Sequence, residues 1–416
     1  MTWQEIYKEL LWVRLGPYEC FLPKGSWVNN WSTAFQHFGK LAKDVLLYGK
    51  KDWQGAEELE GKVWLMVGSQ NNRDSLVFFQ EQLEGTVWVA TNKKAARLAG
   101  AGWLSLHGSL WYWYKKHKLL LLVWRTFGAI IWRKPDEWLF ALGRYEAALN
   151  SLKKHRPKAL IFANDHVPTM RAFLLAANAL GIPTVYIQHA SVSTFFPPLR
   201  FSLSLLEGQD SLDKYERCGP ITGKVKLIGM PKFDHYLSQR KTAGPIQNVA
   251  ICGTFVDNAQ RLSQLTHQLY RVFPKLQFSF RAHPRDDRPF DLPKGIRISN
   301  ARQESIFDFL LQQDVLIAGD TSTHLEAVLL NINALYFPFN DSLSDYYGFI
   351  KQGLVESLQE VDALIDWLRQ HQEQRPAVFE RASYYNAVVG TEQEGQSRAL
   401  AVAAVREVLN AKKPYL

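Results

Sequence analysis

Short, continuous runs of apolar residues alternate along most of the chain with longer segments of helical period. The runs that predict buried strands lie at 62–67, 86–90, 159–163, 184–187, 203–206, 225–228, 248–252, 277–281, 296–298 and 315–318. Helices are predicted at 170–180, 258–273, 305–311 and 324–330. Strands that alternate with helices of this length indicate an α/β protein whose parallel sheets are covered on both faces.

The alternation begins again near residues 241–245, just before the predicted strand at 248–252. We therefore predict two doubly wound, Rossmann-like domains facing a central cleft, 1–240 and 241–416, with the last helix a candidate to cross back to the first domain. Ligands of open parallel sheets bind beyond the carboxyl ends of the strands. The loops that follow the strands are consequently the segments to search for chemistry.

The first sixty residues have a helical, partly amphipathic pattern that is interrupted near Pro17, Pro23 and Gly25. The N-terminus carries charges where a secretory signal would need an apolar core. No apolar run approaches the ~20 residues that span a bilayer. We therefore expect a protein without membrane-spanning segments.

Composition narrows the choice of partners. The 416 residues include 47% hydrophobic and 21% charged ones, enough for two cores, which argues against a disordered or low-complexity chain. Lys and Arg number 49 against 40 Asp and Glu, a net charge of +9, so an anionic partner is expected. The three cysteines are too far apart for a disulfide framework or a CxxC metal site, which favours a reducing cytosol.

The loop after the strand at 277–281 contains RAHPR, residues 281–285. Pro284 favours an extended backbone at His283, and two arginines flank this imidazole. Arginine binds phosphate with two hydrogen bonds, and histidine can donate to a departing phosphate oxygen. The alternative is a basic surface turn ahead of Asp286 and Asp287.

The loop after the strand at 315–318 contains GDTST, residues 319–323, directly before a predicted helix. Free backbone N–H groups, hydroxyls and the helix dipole make such a loop a candidate anion site. Ordinary capping by Ser322 or Thr323, with Glu326 in a capping box, is the alternative. Gly253 and Thr254 end a third strand of the same domain, so three loops are predicted to converge on one phosphate-sized region.

Two consecutive strand ends in the first domain also carry titratable groups. Asn164, Asp165 and His166 follow one strand, and His189 follows the next. Asp165 or His189 is a candidate to take a proton from an acceptor hydroxyl. Asp165 could instead cap the following helix, and His189 could be purely structural. Glu207, after the strand at 203–206, is a weaker candidate that could simply form a turn.

Residues 85–135 contain no Asp or Glu. They contain nine basic residues, at 93, 94, 97, 115, 116, 118, 125, 133 and 134, interleaved with seven Trp and Tyr residues from 103 to 132. This segment, near 93–134, suits the surface of an anionic bilayer. Base stacking on nucleic acid is disfavoured because no RRM, KH or zinc-finger signature is present. The remaining alternative is a buried helix pair with a solvated basic edge.

The string FSFRAHPR at 278–285, followed by DVLIAGDTST at 314–323, resembles the C-terminal half of GT-B transferases with an HP motif. These are the bacterial polysialyltransferases, the capsule and O-antigen Kdo transferases and the CDP-glycerol glycerophosphotransferases. The segment 159–191 is similar to a segment of capsule-synthesis and glycerophosphotransferase proteins that ends in His-Gly, with Ala190 here in place of the glycine. The Asp/Glu-Asp/Glu-Gly motif of the sialyltransferases has only the counterpart Leu206-Glu207-Gly208.

The resemblance implies a GT-B glycosyltransferase that moves Kdo or a sialic-acid-like sugar from a CMP-activated donor to a lipid-linked or glycan acceptor. It implies work on capsule, lipopolysaccharide or O-antigen at the inner face of the cytoplasmic membrane. For donor binding the resemblance implies His283, Pro284, Thr321, Ser322 and Thr323, and the strand-end loops add Gly253, Thr254, Arg281 and Glu326 as candidates. For catalysis we predict Asp165, His189 and His283, with Asn164, His166 and Glu207 in secondary or acceptor contacts.

No metal is expected, since no DxD-like pair ends a strand. Neither a cofactor nor a nucleic acid is expected as a partner. Three alternatives stay open: a CDP-polyol phosphotransferase of a teichoic-acid-like polymer, a sugar-nucleotide 2-epimerase, and a non-catalytic scaffold of a polysaccharide assembly complex.

Overall fold

The computed structural model of the protein describes residues 3–15, 31–46, 53–104, 106, 109–128, 135–164, 166–340 and 345–411. Its contacts divide the chain into two compact units. Unit 1 consists of 1–206, 211–227 and 398–416, and unit 2 of 207–210 and 228–397. The main division therefore falls between Leu227 and Ile228, thirteen residues before the predicted boundary at 240/241.

Unit 1 is built on a mainly parallel sheet. Its strands are β1 (Trp53–Gln54), β2 (Val63–Val67), β3 (Thr86–Ala90), β4 (Gly102–Leu104), β5 (Ala159–Phe162), β6 (Thr184–Ile187), β7 (Leu203–Leu206) and β8 (Lys224–Leu227). Its first helices are α1 (Trp3–Leu15), α2 (Trp31–Leu46), α3 (Gln70–Gln82), α4 (Lys93–Ala99), α5 (Ser109–Lys115), α6 (Lys118–Phe127), α7 (Pro135–His155), α8 (Pro168–Ala179) and α9 (Gln209–Cys218). The sheet order is β1-β4-β3-β2-β5-β6-β7-β8, and the short β1 alone among these described strands pairs antiparallel.

The central strands of unit 1 are apolar on both faces. Every residue of β2 and β5 is buried, as expected for parallel strands covered by helices on each side. Pro168 starts α8, where the missing N–H costs nothing. Helix α8 packs mainly against α7 and also against α1. These contacts fix the carboxyl edge of the sheet, where the segments after β3, β5 and β6 emerge.

Unit 2 contains a second parallel sheet. Its strands are β9 (Asn248–Gly253), β10 (Gln277–Ala282), β11 (Arg297–Ile298), β12 (Val315–Ala318), β13 (Asn333–Tyr336) and β14 (Glu356–Ser357), in the order β11-β10-β9-β12-β13-β14. Its helices are α10 (Ala259–Val272), α11 (Ile306–Leu310), α12 (Thr323–Leu329) and α13 (Val361–Gln370). The last helix, α14 (Ser397–Asn410), groups with unit 1 from Arg398 onwards.

The predicted strands and helices agree with the structure to within one or two residues where apolar runs are continuous, as at 315–318. The pattern did not predict β1, β4, β13 or β14, nor the helices α3, α4, α7, α9 and α13. Helix α4 starts where Asn92, its N-cap, accepts the N–H of Ala95 at 2.9 Å. The predicted break near Pro17, Pro23 and Gly25 lies outside the described residues.

Among the described residues, no helix combines the length and the apolar character needed to cross a bilayer.

Candidate functional site

Three adjacent strands of unit 2 end level with one another. In the register of the sheet, Ala282 of β10 lies beside Gly253 of β9, and Ala318 of β12 lies beside Cys252 of β9. Because β9 lies between the other two, the ends of β10 and β12 are two strand spacings, about 10 Å, apart. The loops 254–257, 283–288 and 319–323 therefore leave the sheet at one edge, which we call the three-loop edge.

Asp257 organises the loop after β9. Its buried carboxylate accepts the backbone N–H of Thr254 at 2.7 Å. Burial raises the pKa of Asp257, while the Thr254 bonds and the charge of Arg288 oppose the shift. A Cβ on Gly319 would lie 2.9 Å from Oδ1 of Asp257. The glycine of the GDTST loop is thus required by the close approach of the β9 loop.

Arg288 connects the β10 loop to the β9 loop. Its guanidinium donates to the carbonyl oxygens of Asp257 at 2.7 Å and Thr254 at 3.0 Å. It also forms a two-pronged ion pair with Asp286, at 2.8 and 2.7 Å. The hydrogen bond from Arg288 lowers the pKa of Asp286. Asp286 is therefore ionised and serves to hold the loop.

His283 is half-buried at the start of the β10 loop. Its Nδ1 accepts the backbone N–H of Arg285 at 3.1 Å, so the proton of the neutral ring is on Nε2. Partial burial, followed by the charge of Arg285, lowers the pKa of His283, and Asp286 only partly opposes this. The ring contacts Phe255 edge to face, with centroids 5.2 Å apart. His283 is therefore a neutral imidazole that can donate a hydrogen bond from Nε2.

The loop after β12 carries hydroxyl groups. Oγ1 of Thr321 lies 3.1 Å from Oγ1 of Thr323 and accepts the N–H of Thr323 at 3.3 Å. The Ser322 side chain makes no capping bond to α12, and Glu326 pairs with Lys232 at 2.7 Å. The capping box that sequence offered as an alternative is therefore not formed.

Two hydrogen bonds, one of them buried, hold this hydroxyl loop in place. Nε2 of His324 lies 2.8 Å from the carbonyl oxygen of Gly319, to which it donates, and burial lowers the pKa of His324 to about 4. Oδ2 of Asp320 accepts the N–H of Tyr346 at 2.7 Å. The loop conformation is thus set by residues that face the protein, while its hydroxyls belong to the edge.

Arg281 is directed away from this arrangement. Its buried guanidinium donates to Oγ of Ser299 at 2.5 Å and to the carbonyl oxygen of Glu304 at 2.8 Å. These bonds tie β10 to the segment after β11. Donor binding by Arg281 stays a prediction, whereas its structural function is visible.

Glu207 belongs to a charged cluster that sequence only partly anticipated. It is 3% exposed, and burial raises its pKa to about 7, with Lys232 opposing and Glu326 reinforcing the shift. The segment 207–210 is fixed to 384–387, since Ala387 donates to the Glu207 carbonyl at 2.9 Å and a Cβ on Gly208 would meet the Tyr385 backbone at 2.4 Å. The sequence did not indicate Lys232 as a site residue, because nothing distinguishes it except its place just after Gly-Met-Pro.

In unit 1, Asn164 and His189 follow the neighbouring strands β5 and β6, so the structure brings these strand ends together. Oδ1 of Asn164 accepts the N–H of His166 at 2.7 Å, and the His166 ring is 4.0 Å from that of Phe196. Asp165 lies outside the described residues.

Among the described residues, no group of three or more His, Cys, Asp and Glu side chains is arranged to hold a metal ion.

No family model matches the sequence, and no curated protein matches it. Solved structures do resemble it. UDP-GlcNAc 2-epimerase from Neisseria meningitidis bound to UDP-GlcNAc is 12% identical over 83% of this chain and 100% of that one, with a TM-score of 0.52. The calicheamicin glycosyltransferase CalG4 is 13% identical over 86% and 100%, with a TM-score of 0.53. MurG from Acinetobacter baumannii is 14% identical over 84% and 99%, with a TM-score of 0.50.

The chain has the GT-B fold. This confirms the predicted fold of two Rossmann-like domains with parallel sheets. Glycosyltransferases and epimerases both occur among the solved structures with this fold, so the fold by itself does not determine the reaction.

Proposed function

We propose that the protein is a nucleotide-sugar-dependent glycosyltransferase whose three-loop edge binds the donor phosphate. The observation that carries the proposal is the arrangement of neutral donors at the ends of β10 and β12, the two strands on either side of β9: Nε2–H of His283 and the hydroxyls of 321–323. The carboxylates of Asp257 and Asp286 are held by backbone and Arg288, so they do not repel the phosphate as free anions would.

In this proposal His283 and the hydroxyl loop stabilise negative charge on the leaving phosphate. The bond between the anomeric carbon and the phosphate oxygen breaks, and a bond from the acceptor oxygen to that carbon forms. The electron pair of the broken bond stays on the phosphate, where preorganised donors stabilise it. Asp165 or His189 takes the acceptor proton.

For the donor, we propose a CMP-linked sugar of the Kdo or sialic-acid type. Its support is the HP motif and the hydroxyl motif, which follow β10 and β12 on either side of β9 at the three-loop edge. The competing nucleotide is UDP, because the N. meningitidis neighbour is bound to UDP-GlcNAc and a Staphylococcus aureus neighbour, MnaA, is a UDP co-structure.

For the acceptor, we propose a lipid-linked glycan at the inner face of the cytoplasmic membrane, in capsule, lipopolysaccharide or O-antigen synthesis. Trp111, Tyr114 and Trp124 of the basic segment are exposed, which suits an interface with anionic lipid. Helix α2 adds a feature that sequence did not single out. Its exposed apolar residues Trp31, Phe35, Phe38 and Leu46 recur at helical spacing along one stripe.

A thermal-shift panel of CMP, CDP, UMP, UDP and GDP tests the donor, because a bound ligand raises apparent stability according to its affinity. We expect CMP or CDP to give the largest shift in wild type and His283→Ala to reduce it. A preference for UDP or GDP would overturn the cytidine part of the proposal. If no nucleotide shifts the melting temperature, the proposed enzyme class fails and a scaffold is favoured.

A 2-epimerase is the second candidate, favoured by the epimerases among the solved structures of the same fold. Incubation with nucleotide-sugar and no acceptor separates the two reactions. An epimerase converts the sugar and leaves the nucleotide linkage intact, whereas a glycosyltransferase needs an acceptor to release the nucleotide at its full rate. A CDP-polyol phosphotransferase would release CMP only from CDP-linked donors.

A further inference from the structure

Unit 1 contains a cavity of about 500 Å³ at the carboxyl edge of its sheet. Residues that follow β3 and β5 form its floor, and β4, α2 and α7 contribute walls. All these elements lie within unit 1. Carboxyl edges of parallel sheets are where this fold type places ligands, yet Asn164, His166 and the HP and hydroxyl loops are not among the described residues that line this cavity.

The cavity wall carries four cations, Lys40, Lys43, Lys93 and Arg144, and no carboxylate among the described lining residues. Lys40 is paired with the buried Asp136 at 3.0 Å, and Arg144 with Glu137 at 3.0 Å. Within the described part of the chain, Lys43 and Lys93 make no ion pair. The cavity therefore retains positive charge after its own salt bridges are counted.

Asp136 also determines where the lysines of α2 lie. It is 2% exposed in the first turn of α7 and accepts hydrogen bonds from both His37 and Lys40. His37 is buried as well. Helix α2 is thus fixed to α7 by a buried contact, and Lys43, one turn beyond Lys40, is held at the cavity mouth.

The rest of the lining combines aromatic and aliphatic side chains with the polar Thr91, Asn92 and Thr169. Trp103 of β4 and Phe140 of α7 line the same space as the lysines. A ligand that fits must combine an anionic group with an apolar or flat-faced portion, because a purely ionic ligand would leave these rings without a partner. The exposed stripe on α2 belongs to the same helix that supplies Lys40 and Lys43.

We propose that this cavity binds the phosphate or diphosphate group of a lipid-linked acceptor. This proposal rests on the proposed function, because only a transferase would use the bound lipid as an acceptor. Lys43 and Lys93 attract the anion, Trp103 and Phe140 contact the group attached to it, and α2 faces the lipid phase from which the chain arrives. Exposed lysines beside apolar residues are suited to such an interfacial ligand.

Farnesyl diphosphate, inorganic diphosphate and farnesol, each below micellar concentration, are the probes for calorimetric titration of the full-length protein. We expect farnesyl diphosphate to bind at least tenfold more tightly than either of the other two. The double variant Lys43→Ala/Lys93→Ala should weaken it at least tenfold. The control Lys94→Ala/Arg97→Ala removes the same charge from exposed α4 positions outside the cavity lining and should change binding less than twofold.

Absence of farnesyl diphosphate binding overturns the proposal, as does equal weakening in the two double variants, which would indicate a general charge effect. Equal affinity for inorganic diphosphate overturns the lipid source and assigns the cavity to a free anion. Equal affinity for farnesol would indicate non-specific binding to an apolar surface and would also overturn the proposal. If no nucleotide shifts the melting temperature but farnesyl diphosphate binds as expected, the proposed function is refuted and the cavity assignment stands. If a nucleotide binds but farnesyl diphosphate does not, only the cavity assignment is refuted.

Discussion

The carboxyl edges of the two sheets are built on different principles. At the three-loop edge of unit 2, the charged groups are locked to the protein: Asp257 to Thr254, and Asp286 to Arg288. What remains for a ligand is neutral hydrogen-bond donors on loops held by His324, together with the exposed Arg285 close to His283. In the cavity of unit 1, Lys43 and Lys93 make no ion pair among the described residues, and the rest of the lining mixes aromatic and aliphatic side chains with Thr91, Asn92 and Thr169.

This difference suggests two kinds of binding. Loops held by the protein, with mainly neutral donors, can orient a phosphate closely, and the exposed Arg285 adds attraction from a distance. Unpaired lysines at a cavity mouth attract an anion from a distance and orient it less, because their side chains are flexible. We infer that unit 2 is adapted to stabilising charge that develops during a reaction, and unit 1 to collecting an anionic substrate.

Of the substitutions considered, His283→Ala in unit 2 should have the largest effect, a loss of turnover. Loss of a preorganised donor to the leaving phosphate is expected to lower turnover by about 10²–10⁴-fold. The measurement is nucleotide release from the preferred donor in the presence of acceptor. His267→Ala, on the outer face of α10, is the matched control and should retain wild-type turnover. Near-normal turnover of His283→Ala would remove His283 from the mechanism.

Gly319→Ala should break the packing between the β9 and β12 loops. The new Cβ would lie 2.9 Å from a carboxylate oxygen of Asp257, which is itself held by Thr254 and cannot move freely. We expect a loss of about 1–3 kcal/mol in the free energy of unfolding, as for other overpacked sites, measured by urea denaturation. Gly244→Ala, where an added Cβ meets nothing within 4 Å, should cost far less. Equal losses in both variants would contradict the close approach.

Two buried groups of unit 2 should give pH dependences of opposite sign. Glu207 has a pKa of about 7 in the folded protein against 4.5 for the free group. Between these values the folded protein binds a proton that the unfolded chain has released, so the free energy of unfolding falls as the pH rises through this window. His324 has a pKa of about 4 against 6.5, so the unfolded chain takes up the proton and stability falls as pH drops through that window.

Single variants should separate these opposing effects. Glu207→Gln should gain on the order of 1–2 kcal/mol relative to wild type between pH 5 and pH 8. His324→Gln, which can still donate to Gly319, should gain a similar amount between pH 7 and pH 4.5. Denaturant midpoints across pH provide the measurement. Parallel pH profiles for wild type and both variants would show that neither group is perturbed by burial.

Substitution in the exposed apolar stripe of α2, in unit 1, should have a smaller effect, on membrane binding. Phe35→Ser should weaken binding to vesicles containing anionic lipid about three- to tenfold, because one large apolar side chain is lost from the interface. Phe255→Ser, which removes an exposed phenylalanine from unit 2, is the control for exposed aromatic area. Sedimentation with vesicles measures both. If the two variants lose binding equally, α2 has no special part in lipid contact.

The sequence predicted the three-loop edge better than the cavity, for a physical reason. Strands such as 248–253 and 315–318 are continuous apolar runs, and the loops after adjacent parallel strands must meet at one edge. The cavity depends instead on Lys43 in α2, Lys93 in α4 and Arg144 in α7. Nothing in their spacing along the chain indicates that these helices meet.

Individual side chains were also beyond the sequence pattern. Arg281 stands two residues before His283, yet its guanidinium is bonded to Ser299 and the carbonyl of Glu304. Lys232 finds Glu326 across 94 residues of sequence. Local patterns determine which backbone segments meet, whereas the partner of a long polar side chain depends on the tertiary arrangement.

The most direct test of the central claim is a double-mutant cycle on nucleotide affinity, measured by calorimetry with the nucleotide preferred in the panel. The variants are His283→Ala, Thr321→Ala/Thr323→Ala, and all three together. If the imidazole and the hydroxyls contact one phosphate, their effects should couple by at least about 1 kcal/mol, and none of the variants should alter binding of the corresponding nucleoside. Strictly additive losses, or equal losses with the nucleoside, would contradict a shared phosphate.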